Sequence, residues 1–184
     1  MRWVWIDKFL EFNSRRNARA VKNVSFAEEH LHDHYPGFPV MPGSLIIEGL
    51  AQTGGLLVGE ASSFEEKVIL AKIARAKFLS HACPGDQLTY EVEILDLRPE
   101  GAVVEGKACV GDRQVAEVEL VFAHLDERSR AKSLFEPKNF VFTMRLLGVF
   151  DVGRTGDGSP LQEPAGLLKL KQRADSESIA SSSD

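Results

Sequence analysis

The hydrophobic and polar positions divide the chain into one unusual helix and a series of alternating segments. Between residues 43 and 60, Leu45, Ile46, Ile47, Leu50, Ala51, Leu56, Leu57 and Val58 point in nearly every direction around a helical axis. A helix that is apolar nearly all round is predicted to be buried. Its exceptions, Ser44, Glu48 and Gln52, recur every four residues and form one polar stripe. Before it, Pro36, Pro39 and Pro42, with Gly37 and Gly43 among them, forbid regular structure and fix a loop whose end suits a helix start. After it, strand-like runs are predicted at 68–78, 87–97, 102–110 and 114–124. The turns between the last three runs and before them, Pro84-Gly-Asp86, Arg98-Pro-Glu-Gly101 and Gly111-Asp-Arg113, are short enough to make neighbours antiparallel. A further strand is expected at 18–26, and residues 2–13 read as a packing segment, a short helical turn entering a strand. The fold class is therefore α+β, a curved antiparallel sheet wrapped around one long helix. Its exposed edges invite pairing in a dimer.

The character changes after residue 126. Residues 137–150 are apolar enough for a short packed helix, and from Asp151 the chain becomes rich in Gly, Ser, Asp and Pro. The expected organisation is a domain at 1–126, a short apolar helical extension at 127–150 and a flexible tail at 151–184, with 167–173 as a solvated linker.

Composition narrows the class. With 184 residues, 43% hydrophobic and 27% charged, the chain suits one globular domain with a substantial core. A net charge of -5 gives no support to nonspecific nucleic-acid binding. Cys83 and Cys109 fit no metal or redox spacing and read as thiols in a reducing compartment. No secretory apolar segment fits the N-terminus, since Asp7 and Lys8 interrupt it, and no membrane span is expected, so the expected location is cytoplasmic. On a strand, His30, His32 and His34 would share a face and suggest a metal, but the surrounding spacing lacks further ligands. The expectation is no metal and no cofactor.

The sharper candidates are His34 and Glu48. A carboxylate held in an apolar cavity is expected to titrate high and to suit proton donation, and an imidazole suits the complementary base. The backbone N–H groups near Gly43 and Ser44 open the helix without intrahelical partners, and they can polarise a carbonyl placed there. Each residue also has an ordinary structural reading: a loop histidine, a helix-face glutamate, a proline-glycine helix entry.

Taken together, His34-Tyr-Pro-Gly-Phe-Pro-Val-Met-Pro-Gly-Ser-Leu-Ile-Ile-Glu48 and the following Gly-Leu-Ala-Gln52 resemble the bacterial (3R)-hydroxyacyl-acyl-carrier-protein dehydratases of type II fatty acid synthesis. Ala76-Lys-Phe78, Pro84-Gly-Asp-Gln-Leu88 and Val115-Ala-Glu-Val-Glu-Leu120 extend the resemblance over about residues 2–125. It implies a hot-dog fold, a homodimer often assembled as a trimer of dimers, and acyl carrier protein as partner. It also implies that His34 removes the α-proton and Glu48 assists departure of the β-hydroxyl, the two meeting from different chains. By the same carry-over, Gly43 offers its N–H to the thioester oxygen, and Tyr35, Phe38, Pro42 and Gln52 contact substrate.

The chain departs from that family's habit at Tyr35, usually phenylalanine, at Phe38, commonly basic, and at Lys77, frequently arginine. Glutamate at position 48 matches the non-isomerising branch. Lys72, Arg75 and Lys77 offer a basic surface for an acidic carrier protein, or are ordinary solvated charges. A hot-dog thioesterase and a non-catalytic acyl-binding protein stand as alternatives. The apolar part of the extension is expected to cover a tunnel mouth or another face.

Overall fold

The structure, a computed structural model, describes residues 4–125 and 137–164. Its elements in order are β1 (Lys8–Asn13), β2 (Asn17–Asn23), α1 (His30–Asp33), α2 (Gly43–Glu60), β3 (Val68–Phe78), β4 (Gln87–Arg98), β5 (Gly101–Val110), β6 (Arg113–His124), α3 (Pro137–Leu146), α4 (Val149–Val152) and β7 (Gly153–Arg154). The strands form one sheet in the order β3-β6-β5-β4-β2-β1-β7, antiparallel throughout except for the short β1/β7 pair.

Alternation along the strands explains why the sheet curls onto α2. Leu88, Tyr90 and Val92 of β4, Val104 and Ala108 of β5, and Val118, Leu120 and Phe122 of β6 point inward and are buried. They close on Ile46, Leu50, Leu57 and Val58 of the helix. Removing these surfaces from water is the main stabilisation of the fold, at roughly 25 cal/mol per Å² of apolar area.

The strand β3 does not follow that rule. Among the described residues it pairs only with β6, and nearly all of its eleven residues are exposed, including Ile69, Leu70, Ile73 and Phe78. A long exposed edge of this kind, apolar at Ile69, Leu70, Ile73 and Phe78 and basic at Lys72, Arg75 and Lys77, leaves backbone groups open to pairing with another chain.

Several expectations are corrected. Residues 4–7 form no helical turn, because Asp7 N–H already donates to Val21 O at 2.7 Å and draws the segment into sheet alignment. The second strand ends at Asn23 rather than 26, since Val24 N–H turns to Asp86 O at 2.9 Å. The helix expected at 137–150 is broken in two by Gly148, whose φ of 71° is left-handed and ends α3. Residues 151–164, expected within a flexible tail, are packed instead. Ser14 N–H donates to Arg154 O at 2.8 Å, Leu161 N–H donates to Gly153 O at 3.0 Å, and Leu161 is buried. Only glycine fits at position 153, where an added Cβ would stand 2.5 Å from Val149 O. Polar composition suggested a tail there, but backbone pairing with β1 decided otherwise. Residues 126–136 and 165–184, including the expected linker at 167–173, lie outside the described residues.

Candidate active site

The loop before α2 is built by its prolines and glycines and anchored at one end. Gly37 takes φ +80° in a turn in which Phe38 N–H donates to Tyr35 O at 2.9 Å. Met41 N–H then donates to Ala82 O at 2.8 Å, tying the loop to the β3–β4 connection. His34 caps the C-terminus of α1, is exposed, and holds its ring 4.3 Å from that of Tyr35.

His34, Tyr35, Phe38, Gly43, Phe78 and His81 surround a cleft of about 520 Å³. Gly43 opens α2, so its N–H has no acceptor within the helix. An added Cβ there would stand 2.7 Å from Cζ of Phe78, so the ring closes directly over the helix start. Pro42, expected to contact substrate, is the buried N-cap of α2, where its carbonyl accepts from Leu45 and Ile46 N–H.

Glu48 faces a different cavity. It is half-buried at one end of an apolar cleft of about 250 Å³ that includes Gln52, Gly55, Leu70, Phe122 and Phe140. The buried Gln52 fixes it: Gln52 Nε2 donates to Glu48 Oε1 at 2.8 Å, while Gln52 Oε1 accepts from Trp5 N–H at 2.8 Å. The amide thus reads its orientation from the backbone and transmits it to the carboxylate. The polar stripe predicted on the helix therefore has a use, though Ser44 on the same stripe is exposed.

His34 with Gly43, and Glu48 with Gln52, line separate cavities of one chain. The positions of α2 left partly open include Leu45, Ile47, Glu48 and Gly55.

The histidine alternation resolves into a helical turn rather than a strand, which separates the rings. His30 packs edge-on against Trp5 at 5.3 Å, and His32 Nε2 lies 2.6 Å from Phe26 O. Among the described residues no group of three His, Cys, Asp or Glu side chains is placed to hold a metal ion. The basic trio on β3 is partly neutralised: Arg75 reaches Glu105 at 3.5 Å and Glu117 at 3.8 Å, and Lys77 reaches Glu117 at 4.0 Å. No helix among the described residues is long and apolar enough to cross a membrane.

Sequence reasoning missed Phe78, His81 and Phe140 as lining residues. His81 meets Phe38 ring to ring at 5.7 Å, a contact between positions forty-three apart that no spacing rule reveals. Phe140 lay in a segment read as a packed helix whose apolar part covers a tunnel mouth or another face, with no residue of it singled out.

Residues 3–119 match a sequence family described as the FabA-like domain. The chain is 41% identical over 122 residues to the 3-hydroxyacyl-[acyl-carrier-protein] dehydratase FabZ of Campylobacter fetus, covering 62% of this chain and 82% of that protein. It is 44% identical over 119 residues to FabZ of Pelotomaculum thermopropionicum, covering 64% and 85%. Among solved structures, it resembles the dehydratase heterocomplex ApeI:P from Xenorhabdus doucetiae, with a TM-score of 0.57 and 16% identity over 70% of this chain and 87% of that one. A hypothetical thioesterase protein with coenzyme A from Streptococcus pneumoniae gives 0.53 and 12% over 64% and 86%. At such identities the structures speak for the fold alone, a hot-dog arrangement of long helix and curved sheet.

Proposed function

Since the chain belongs to the FabA-like family and is similar to its FabZ dehydratases, we propose that it removes water from (3R)-3-hydroxyacyl thioesters of acyl carrier protein, giving the trans-2-enoyl thioester in fatty acid biosynthesis. The enzyme class is hydro-lyase. The observation that carries the reading is the Trp5–Gln52–Glu48 relay, which holds one carboxylate at the end of an apolar cleft suited to an acyl chain.

The chemistry assigns a role to each group. His34 takes the α-proton, the electron pair forms the carbon–carbon double bond, and Glu48 delivers a proton to the departing β-hydroxyl, which leaves as water. Negative charge that develops on the thioester oxygen is met by the Gly43 N–H at the positive end of α2. Tyr35 and Phe38 border the cleft around His34, and Gln52 orients Glu48.

Because the histidine and glutamate line separate cavities in one chain, the complete site needs two chains. We place the second copy against β3, pairing the edge strands so that His34 of one chain faces Glu48 of the other. A homodimer is then the catalytic unit, with a trimer of dimers as its further assembly, working in the cytoplasm. The exposed part of the Lys72, Arg75 and Lys77 surface receives the acidic carrier protein.

The test is turnover of a 3-hydroxyacyl-carrier substrate, followed by enoyl absorbance, in His34→Ala and Glu48→Gln. Each is expected to lose roughly 10²–10⁴-fold in kcat with the folded dimer retained. Near-normal turnover in either would sink the assignment, and release of free thiol from a saturated acyl thioester without enoyl product would point to hydrolysis instead.

A further inference from the structure

The cleft beside Glu48 is not closed by the matched domain alone. Its floor is α2: Glu48, Ala51, Gln52, Gly55 and Gly59 follow one another along a single face. From Glu48 to Gly59 the helix rises by about 16 Å. The glycines keep this floor low. A Cβ on Gly59 would stand 3.2 Å from the ring of Phe64, and one on Gly55 would reach Phe122 at 3.4 Å. Val68, Leu70 and Phe122 supply an apolar wall from the sheet. The end remote from Glu48 is formed by Phe64 against Gly59, and Phe140 of α3 meets Phe64 edge-to-face at 5.3 Å.

Phe140 lies beyond residues 3–119, the part that matches the family. It is nonetheless held by a firmly docked element. Phe140, Val141, Met144 and Leu147 are buried in the common core, and Phe9 N–H donates to Leu147 O at 2.8 Å. Arg145 forms a two-pronged ion pair with Glu163, at 2.5 and 2.6 Å, which joins α3 to the segment after β7. A wall residue fixed in this way can act as a stop rather than yield to a ligand.

We propose that α3 closes the far end of the acyl pocket and that Phe140 sets the longest acyl chain the protein accepts. The inference rests on the hydroxyacyl-thioester reading above. An extended chain whose β-carbon lies at Glu48 runs along the glycine-lined floor toward Phe64, and its terminal methyl meets the Phe140 ring. Methylenes beyond that point must displace a buried aromatic side chain, whereas shorter chains leave apolar wall unfilled.

The experiment uses the full chain and 3-hydroxyacyl pantetheine thioesters from butyryl to palmitoyl. Phe140→Ala is expected to raise kcat/KM for the long chains relative to the short ones by about tenfold or more, the scale on which hydrophobic pockets discriminate methylenes. Phe140→Trp is expected to move the preference toward shorter chains. Phe142→Ala alters an exposed ring on the same helix and should leave the profile unchanged. A parallel arm measures binding of saturated acyl pantetheine thioesters by calorimetry, which does not depend on turnover. An unchanged length profile in both Phe140 variants, by turnover and by binding, overturns the inference. A uniform loss across all lengths in both variants does so as well, since it marks a packing role only. Binding profiles that shift as expected while the wild type forms no enoyl product support the pocket and refute the dehydratase reading.

Discussion

Gly49, adjacent to Glu48, is the position where the packing of α2 bears most directly on the proposed acid. A Cβ added there would stand 2.5 Å from Cε2 and 2.7 Å from the hydroxyl of Tyr90, in conflict with Cζ as well. Tyr90 is fully buried between helix and sheet, so its ring has no solvent into which to swing. Two effects oppose one another in Gly49→Ala. Alanine in a helix interior favours the fold by about 1 kcal/mol, through lower chain entropy in the unfolded state. Overpacking a dense core costs roughly 1–3 kcal/mol, and contact with an immobile ring falls in the upper part of that range. The net expectation is a loss of about 1–2 kcal/mol, a fall in Tm of about 2–8 °C for a chain of this size. Gly55→Ala is the internal control: its Cβ meets Phe122 at an ordinary 3.4 Å, so the helix-propensity gain should survive. The structure can relieve Gly49→Ala only by lifting α2 from β4, which moves Glu48 as well. A displacement near 1 Å at a reacting group can cost about 100-fold in rate. Thermal unfolding is measured on both variants and kcat/KM on Gly49→Ala against the wild type, and Tyr90→Leu is added to each. In that background the cost of Gly49→Ala should shrink by about 1 kcal/mol. Equal Tm in Gly49→Ala and Gly55→Ala would falsify the seating of α2 on Tyr90.

Three further outcomes follow from the same geometry. Gln52→Ala removes the relay between Trp5 N–H and Glu48, and turnover should fall roughly tenfold or more with little change in fold, because the carboxylate loses its orientation; an unchanged rate would leave the relay without a role. Ile73→Lys places a charge on the exposed β3 edge, and sedimentation should show monomers whose activity is lost together with the dimer; an active monomer would contradict a shared site. Burial raises the Glu60 carboxyl above its ordinary value, despite the opposing pull of Ser14 and Arg15. A raised folded value means the group contributes stability fully below the unfolded carboxylate pKa, about 4.3, and that this is lost as pH rises through the folded value. Glu60→Gln should therefore raise Tm at neutral pH, with the advantage vanishing in acid; an advantage independent of pH would contradict the cause.

Much of the fold was legible because its periods are strong. The all-apolar helix at 43–60 and the strand at 68–78 appear at the predicted bounds, and the other three runs shift by a single residue. The misses lie where local pattern is silent. Nothing in Gly153-Arg154 reads as a strand, and it becomes one only because β1 offers an open edge. The polar composition after Asp151 could not reveal that Leu161 has a buried place to go.

The same division runs through the site. The sequence alone determined its chemical groups, since an imidazole, a carboxylate on an apolar helix and a proline-glycine helix start are local facts. Tertiary structure decided how they are arranged. It put His34 and Glu48 in separate cavities, oriented Glu48 through an amide that reads Trp5, and brought Phe140 to the wall of the Glu48 cleft. Those contacts join positions far apart in the chain, and sheet curvature and edge pairing fix them, whereas side-chain periodicity reports only which face of its own element a residue occupies.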